Sequence, residues 1–368
     1  MKIKTATITF HSPHNYGSML QAYSLQQTLF KLGYNNDIIN LRTERQIAYY
    51  RDLLDVRVKS LRSLVKYISI LPYKKDIQAK YDLFEKFLAE NLKTTAEFKT
   101  LEEIAQANLS YDCYISGGDQ IWNTSPLDFD WSYYLPFVKE GKRISYGVSM
   151  GPKGQEQVKD KEKVKQLLSK YAHLSVREEG TAEVVRSMID QPVSIELDTA
   201  MLLSGDEWKT KYDNKPIIDG DYILLYVPGF KKPIYDMAAY LSKKLKMKVV
   251  VTLFNTRNYQ YNFSSQLATG PWEFLNLTQH ARLVVSGSFH ALVFATLFHV
   301  PFFAVNGDKD NRMVTFLKSM NLLDRTINET DCDSKLKHAL ITDYTAADQY
   351  LNRRRKECLS YLKNSIEN

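Results

Sequence analysis

Cysteine is nearly absent: Cys113, Cys332 and Cys358 are odd in number, widely spaced and form no CxxC pair. No disulfide framework or zinc knuckle can be assembled from them, which points to a reducing compartment. Glycine (15) and proline (11) are too few in 368 residues for a collagen-like or low-complexity chain. A strong charge of either sign is also missing. The 49 Lys and Arg against 42 Asp and Glu leave +7, which tolerates an anionic ligand but falls far short of a chain that coats nucleic acid. Strand-like alternation, not an apolar core, follows the first basic residues, so no signal peptide is expected. One uncharged run, Leu283 to Gly307, has membrane-span length. Gly287, Pro301 and its hydroxyl and histidine residues break it into strand, helix and strand, a buried βαβ unit. The expected location is the cytoplasm.

What is present, 44% apolar and 25% charged residues, is the mix of a globular protein with full cores, and the length suggests two domains. Ile3–Phe10 reads as a strand, His11–Ser18 as a loop, and Leu20 to Leu32 as a helix with three- and four-residue spacing that closes at Gly33. Further short apolar runs end at Gly118, Met150, Val176 and Leu197, and a second strand–helix series begins at Tyr222 after the turn-rich Pro216–Asp221. The rhythm predicts an α/β protein: two Rossmann-like domains facing a cleft, 1–215 and 216–345, followed by a charged C-terminal helix, 346–368. The first domain carries a helical insertion at about 42–100. Between 42 and 80, ten basic residues stand against four acidic ones, with Tyr49, Tyr50, Tyr67 and Tyr73 interleaved. That segment reads either as a solvated insertion or as a basic surface for a membrane face.

Ligands of open α/β sheets bind beyond the carboxyl ends of the strands, so the strand-to-helix loops hold the candidates. Asn15, Tyr16 and Gly17 follow the first strand at a helix start. Gly118, Asp119, Gln120 and Asn123 follow another; paired glycines admit close backbone approach, and the polar side chains suit hydroxyls, though a tight capped turn reads equally well. Arg177, at a strand end, could grip a carboxylate or phosphate, or pair with Glu178 or Glu179. Ser288, Phe289 and His290 open an otherwise apolar helix, whose N-terminus favours anions. Lys309 and Arg312 lie after the next strand. No GxxxxGK[ST], GxSxG or HExxH motif occurs, and no acidic cluster has metal-ligand spacing, so no metal is expected.

Taken in order, Asn15-Tyr16-Gly17-Ser18-Met19-Leu20-Gln21-Ala22-Tyr23, Gly117-Gly118-Asp119-Gln120-Ile121-Trp122-Asn123, Arg143-Ile144-Ser145-Tyr146-Gly147, Ser175-Val176-Arg177-Glu178-Glu179, Gly270-Pro271-Trp272-Glu273-Phe274-Leu275, Ser288-Phe289-His290-Ala291 and Asn311-Arg312-Met313 resemble the polysaccharide pyruvyl transferase family. The resemblance implies a GT-B-like fold and transfer of an enolpyruvyl group from phosphoenolpyruvate to sugar hydroxyls, giving a pyruvate ketal. Phosphoenolpyruvate is then the donor substrate and no cofactor is expected; the partner is a sugar acceptor, lipid-linked where the chain works at the inner face of the cell membrane, and not nucleic acid. It implies His290, Arg177 and Asp119 as catalytic residues. Asn15, Tyr16, Gly17, Gly118, Gln120, Asn123, Glu273, Ser288, Phe289, Lys309 and Arg312 become substrate-binding candidates. Ser288 stands where many members carry Arg, which shifts the anion-binding load to Arg177, Arg312 or Lys309. Two rival readings share this architecture: a nucleotide-sugar-dependent glycosyltransferase, with Glu273 as its nearest ribose-binding carboxylate, and a non-catalytic carbohydrate-binding relative.

Overall fold

The computed structural model describes residues 2–126, 128–151, 158–305, 310–328, 334, 335, 338 and 340–368, with the side chains of Arg62 and Asn311 excepted. The chain divides into two compact units. The first is built on a parallel five-stranded sheet of order β3-β2-β1-β4-β5: β1 Lys4–Ile8, β2 Asn35–Leu41, β3 Thr94–Phe98, β4 Cys113–Gly117 and β5 Lys142–Tyr146. A parallel pair, β6 Leu174–Val176 and β7 Val193–Ile195, continues it through the bridges Ile144–His173 and Val148–Val176. The second unit is a parallel sheet of order β10-β9-β8-β11-β12-β13: β8 Tyr222–Tyr226, β9 Lys248–Val251, β10 Ser264–Ser265, β11 Leu283–Ser286, β12 Phe302–Val305 and β13 Thr326–Ile327.

The central strands are buried along their whole length, because helices cover both faces of a parallel sheet. That explains the apolar runs. The uncharged stretch from Leu283 resolves into β11, the helix Phe289–Leu297 and β12, and this helix is buried nearly all round, as an apolar circumference demands. No helix among the described residues is long and apolar enough to cross a membrane.

The units are not the contiguous halves expected from the sequence. The first takes residues 1–50, 88–203 and 351–368, and the second takes 51–87 and 204–350. Most of the basic insertion therefore belongs to the second unit. Tyr73 lies against Phe254 and Tyr259, each at 5.6 Å between ring centroids, and Phe87 against Trp272 at 4.8 Å. Gly270 permits this approach, since a Cβ there would stand 2.7 Å from Leu83 Cβ. The C-terminal helix, Thr345–Glu367, in turn completes the first unit. Lys142 Nζ donates to the Ser365 and Ile366 carbonyls at its end, and Arg355 Nε donates to the Met201 carbonyl at 2.8 Å. Cys113 and Cys358 are buried free thiols, and Cys332 lies outside the described residues.

Candidate functional site

In the first sheet the strand order reverses between β1 and β4, and the loops after these two strands flank the ligand crevice of such folds. Asn15 caps the helix Tyr16–Lys31, its Oδ1 accepting from the Gly17 and Ser18 amides at 3.0 and 3.3 Å. Ser18 Oγ donates to Asp119 Oδ2 at 2.9 Å, so the loops after β1 and β4 meet side chain to side chain. Gly118 has φ +71°, and a Cβ on it would stand 1.9 Å from Gln21 Oε1. The expected close backbone approach thus belongs to Gln21, which spans Thr9, Ser18 and Thr199. Asp119, at φ +48°, is buried yet accepts from Ser18 and from its neighbour's amide. Gln120 Oε1 accepts from Asn123 Nδ2 at 3.2 Å, and Asn123 is buried in the turn; Tyr16 is buried within its helix.

Arg177 leaves β6 into a cluster of carboxylates. Its Nη1 donates to Asp198 Oδ2 at 2.6 Å and its Nε to Glu178 Oε2 at 3.2 Å, with the side chain 4% exposed. Burial alone would lower its pKa, but Glu178, Asp198 and Asp119 outweigh that and raise it. The pairing with Glu178 considered from sequence is present; Asp198, which follows β7, is the partner that was missed. The geometry makes Arg177 the counter-ion that holds this acidic cluster together.

Three more residues, none singled out for this site from the sequence, gather at the same edge. Gln46 and Tyr50 belong to the helix Glu44–Arg51, which follows β2, and Asp128 lies beyond β4. Tyr50 OH donates to Asp128 Oδ2 at 2.9 Å, and Gln46 Nε2 donates to the Asp128 carbonyl and to Tyr133 OH, both at 3.3 Å. Burial first, and then the Asp119 charge, push the Asp128 carboxyl above its usual range, against the pull of Tyr50 and Arg45.

The second sheet reverses order between β8 and β11, and the candidate His290 sits just past β11. Ser286 Oγ accepts from the Ser288 amide at 2.9 Å and donates to the Tyr226 carbonyl, which fixes the turn. Ser288 is the N-cap of the helix Phe289–Leu297 but makes no side-chain capping bond. The N-terminus of a helix carries partial positive charge and favours an anion. Ser288 and His290 are half-buried there, while Phe289 turns inward onto Phe316 at 5.5 Å.

Other expected ligands of this unit are occupied. Arg312 forms a two-bond fork with Asp310, Nε–Oδ1 3.1 Å and Nη2–Oδ2 2.7 Å. Glu273 Oε2 accepts from the Gly270 amide at 3.0 Å as a helix cap. Lys309 lies outside the described residues. A cation overlooked in the sequence is Lys80. The insertion delivers it, half-buried, to the carboxyl end of β9, where Nζ donates to the Thr252 carbonyl at 2.9 Å and desolvation draws its pKa down to about 7. Among the described residues no group of three or more His, Cys, Asp or Glu could hold a metal ion.

Comparison with known proteins agrees with this architecture. No curated protein matches the sequence. Among solved structures, the UDP-GlcNAc 2-epimerase from Methanocaldococcus jannaschii is similar with a TM-score of 0.57 at 13% identity, over 99% of this chain and 100% of that one. MnaA of S. aureus, solved with UDP, gives 0.56 at 12% identity, over 100% and 98%. AviGT4, a glycosyltransferase of avilamycin A biosynthesis, gives 0.53 at 10%, over 99% and 97%. Likeness at such identity establishes a GT-B-like fold and not an activity. The family model for polysaccharide pyruvyl transferases matches residues 15–309, a span that runs through both sheets and takes in Asn15, Asp119, Arg177 and His290. The chain is a member of the polysaccharide pyruvyl transferase family.

Proposed function

We propose that the protein transfers an enolpyruvyl group from phosphoenolpyruvate to hydroxyls of a sugar in a polysaccharide or its precursor. The observation that supports this most is the helix start bearing Ser288 and His290 at the reversal point of the second sheet, in a chain of this family. Phosphoenolpyruvate carries a carboxylate and a phosphate, and the positive end of a helix dipole suits both. In the reaction a proton adds to the methylene carbon, a sugar oxygen bonds to the neighbouring carbon, and its proton passes to a base. Phosphate leaves with its bridging oxygen, and a second hydroxyl closes the ketal. His290 is the residue we assign to the donor and its proton, and Asp119 is the base for the acceptor hydroxyl. The reaction balances without a cofactor.

Phosphoenolpyruvate is expected to raise Tm, by about 2.7 kcal/mol of stabilisation at a hundred times Kd, while UDP- and GDP-sugars leave it unchanged. Phosphate release should then require a sugar acceptor. A shift with nucleotide sugars alone would favour the glycosyltransferase reading, and sugar binding without turnover the non-catalytic one.

We further propose that the acceptor is lipid-linked and is met at the inner face of the cell membrane through residues 42–80. The helix Leu61–Ile70 supports this reading, because Leu61, Leu64, Val65 and Ile68 lie on one face and all are exposed, from 38 to 77%. Leu71 extends the same strip, and Arg57, Lys59, Lys66, Lys74 and Lys75 flank it. Each basic residue near an anionic surface contributes about 1 kcal/mol. Vesicles containing phosphatidylglycerol should co-sediment the protein at low salt, whereas phosphatidylcholine vesicles should not. Val65→Asp with Ile68→Asp should abolish binding without lowering Tm, since both side chains are already in water. Indifference to anionic vesicles would end this part of the proposal.

A further inference from the structure

The helix Glu44–Arg51 and the loop beyond β4 hold two buried acceptor atoms that no described donor reaches, Gln46 Oε1 and Asp128 Oδ1. Gln46 is 3% exposed, with its amide nitrogen fully used. Folded proteins leave few such atoms unmet, and those that remain call for a ligand, a water or a proton. The place is suggestive. Both residues lie at the carboxyl edge of the first sheet, and the Asp119 charge is felt at Tyr50, Asp128 and Tyr133. The same corner carries aromatic surface: Tyr49 is 55% exposed and packs edge-on against Tyr50 at 4.9 Å, with the His14 ring 5.8 Å from Tyr50 on centroids. Unmet acceptors beside an exposed aromatic ring match a sugar, whose hydroxyls donate and whose C–H face stacks on rings.

We infer that Gln46, Tyr50 and Asp128 form the acceptor-sugar subsite, with Gln46 Oε1 and Asp128 Oδ1 taking hydroxyls while the hydroxyl to be modified lies toward Asp119. Tyr50 holds the Asp128 carboxylate in place through Oδ2, leaving Oδ1 for the sugar. This inference rests on the pyruvyl-transfer reading for the identity of the acceptor.

The test uses the full chain and saturation-transfer NMR with methyl glycosides of glucose, galactose and mannose, alongside phosphate release with phosphoenolpyruvate. At least one glycoside should receive saturation from the wild type. Gln46→Leu and Asp128→Asn should each weaken that signal and raise the glycoside KM at least tenfold, with the phosphoenolpyruvate Tm shift retained. Tyr50→Phe, which keeps the ring, should give a smaller loss in the same direction. No saturation of any glycoside by the wild type, or unchanged sugar binding in all three variants at unchanged Tm, overturns the subsite. The two oxygens would then share a proton within a structural cluster. A Tm rise with Mg²⁺ or Ca²⁺ that Asp128→Asn removes would overturn it in favour of a cation. Sugar binding that needs these residues without any effect of phosphoenolpyruvate would uphold the subsite and refute the transfer. Turnover with unaltered sugar KM in the variants would do the reverse.

Discussion

His290→Ala is expected to lower turnover with phosphoenolpyruvate by about 10²–10⁴-fold, the usual loss for a positioned proton-transfer group. Affinity for the donor should fall much less, because the first-turn amides of the helix Phe289–Leu297 remain where they are. The fold should tolerate the change: His290 is only half-buried at the helix start, and alanine is a good helix former. Steady-state phosphate release, with kcat and KM determined separately, reads the split. Turnover within twofold of wild type would take His290 out of the reaction. A loss confined to KM would make it a binding group.

Arg177→Ala should act on folding before it acts on substrate. The substitution strands the Asp198 carboxylate, which is wholly inaccessible, and Glu178, which is 5% exposed, without their cation. Breaking one side of such a buried pair destabilises by about 3–5 kcal/mol. Urea unfolding should show this as a lower midpoint. Arg177→Lys should recover only part of it, since an ammonium is a point charge that cannot reach two carboxylates as a planar fork does. A stability loss below about 1 kcal/mol together with lost phosphoenolpyruvate binding would return Arg177 to the anion-gripping role that its sequence context suggests.

The two Rossmann-like sheets were legible because burial on both faces leaves a local mark. Strands such as Tyr222–Tyr226 and Phe302–Val305 are short apolar runs, and glycines and polar clusters separate them from helical spacing. The ownership of segments was not. Nothing within residues 51–87 says that Tyr73 will meet Phe254, or that Leu83 needs a glycine at 270; those facts reside in the partner surface far along the chain. The site shows the same division. Asn15, Asp119 and His290 sit in motifs at strand ends and could be read directly. Asp198 could not, because its meaning comes from Arg177, 21 positions earlier. Gln46 and Asp128 could not either, since what distinguishes them is a missing donor rather than a residue type. Glu273 and Arg312 have suitable chemistry but are engaged by local partners.

The interleaving of the two units bears on how the chain is made. As it emerges from the ribosome, residues 1–50 and 88–203 come out early, yet the helix that closes this unit, 351–368, comes only after residues 204–350. Residues 51–87 wait equally long, exposing Leu83, Phe84 and Phe87 until 204–350 have been translated. N-terminal-first domain folding, the ordinary course during synthesis, is therefore closed to these two units: neither has all its parts until residues 204–350 have been made. Such long-range closure slows folding and gives holdase chaperones a prolonged opportunity to bind. A cut near residue 215, natural to the eye reading the sequence, would yield two fragments that each lack a segment of their own unit.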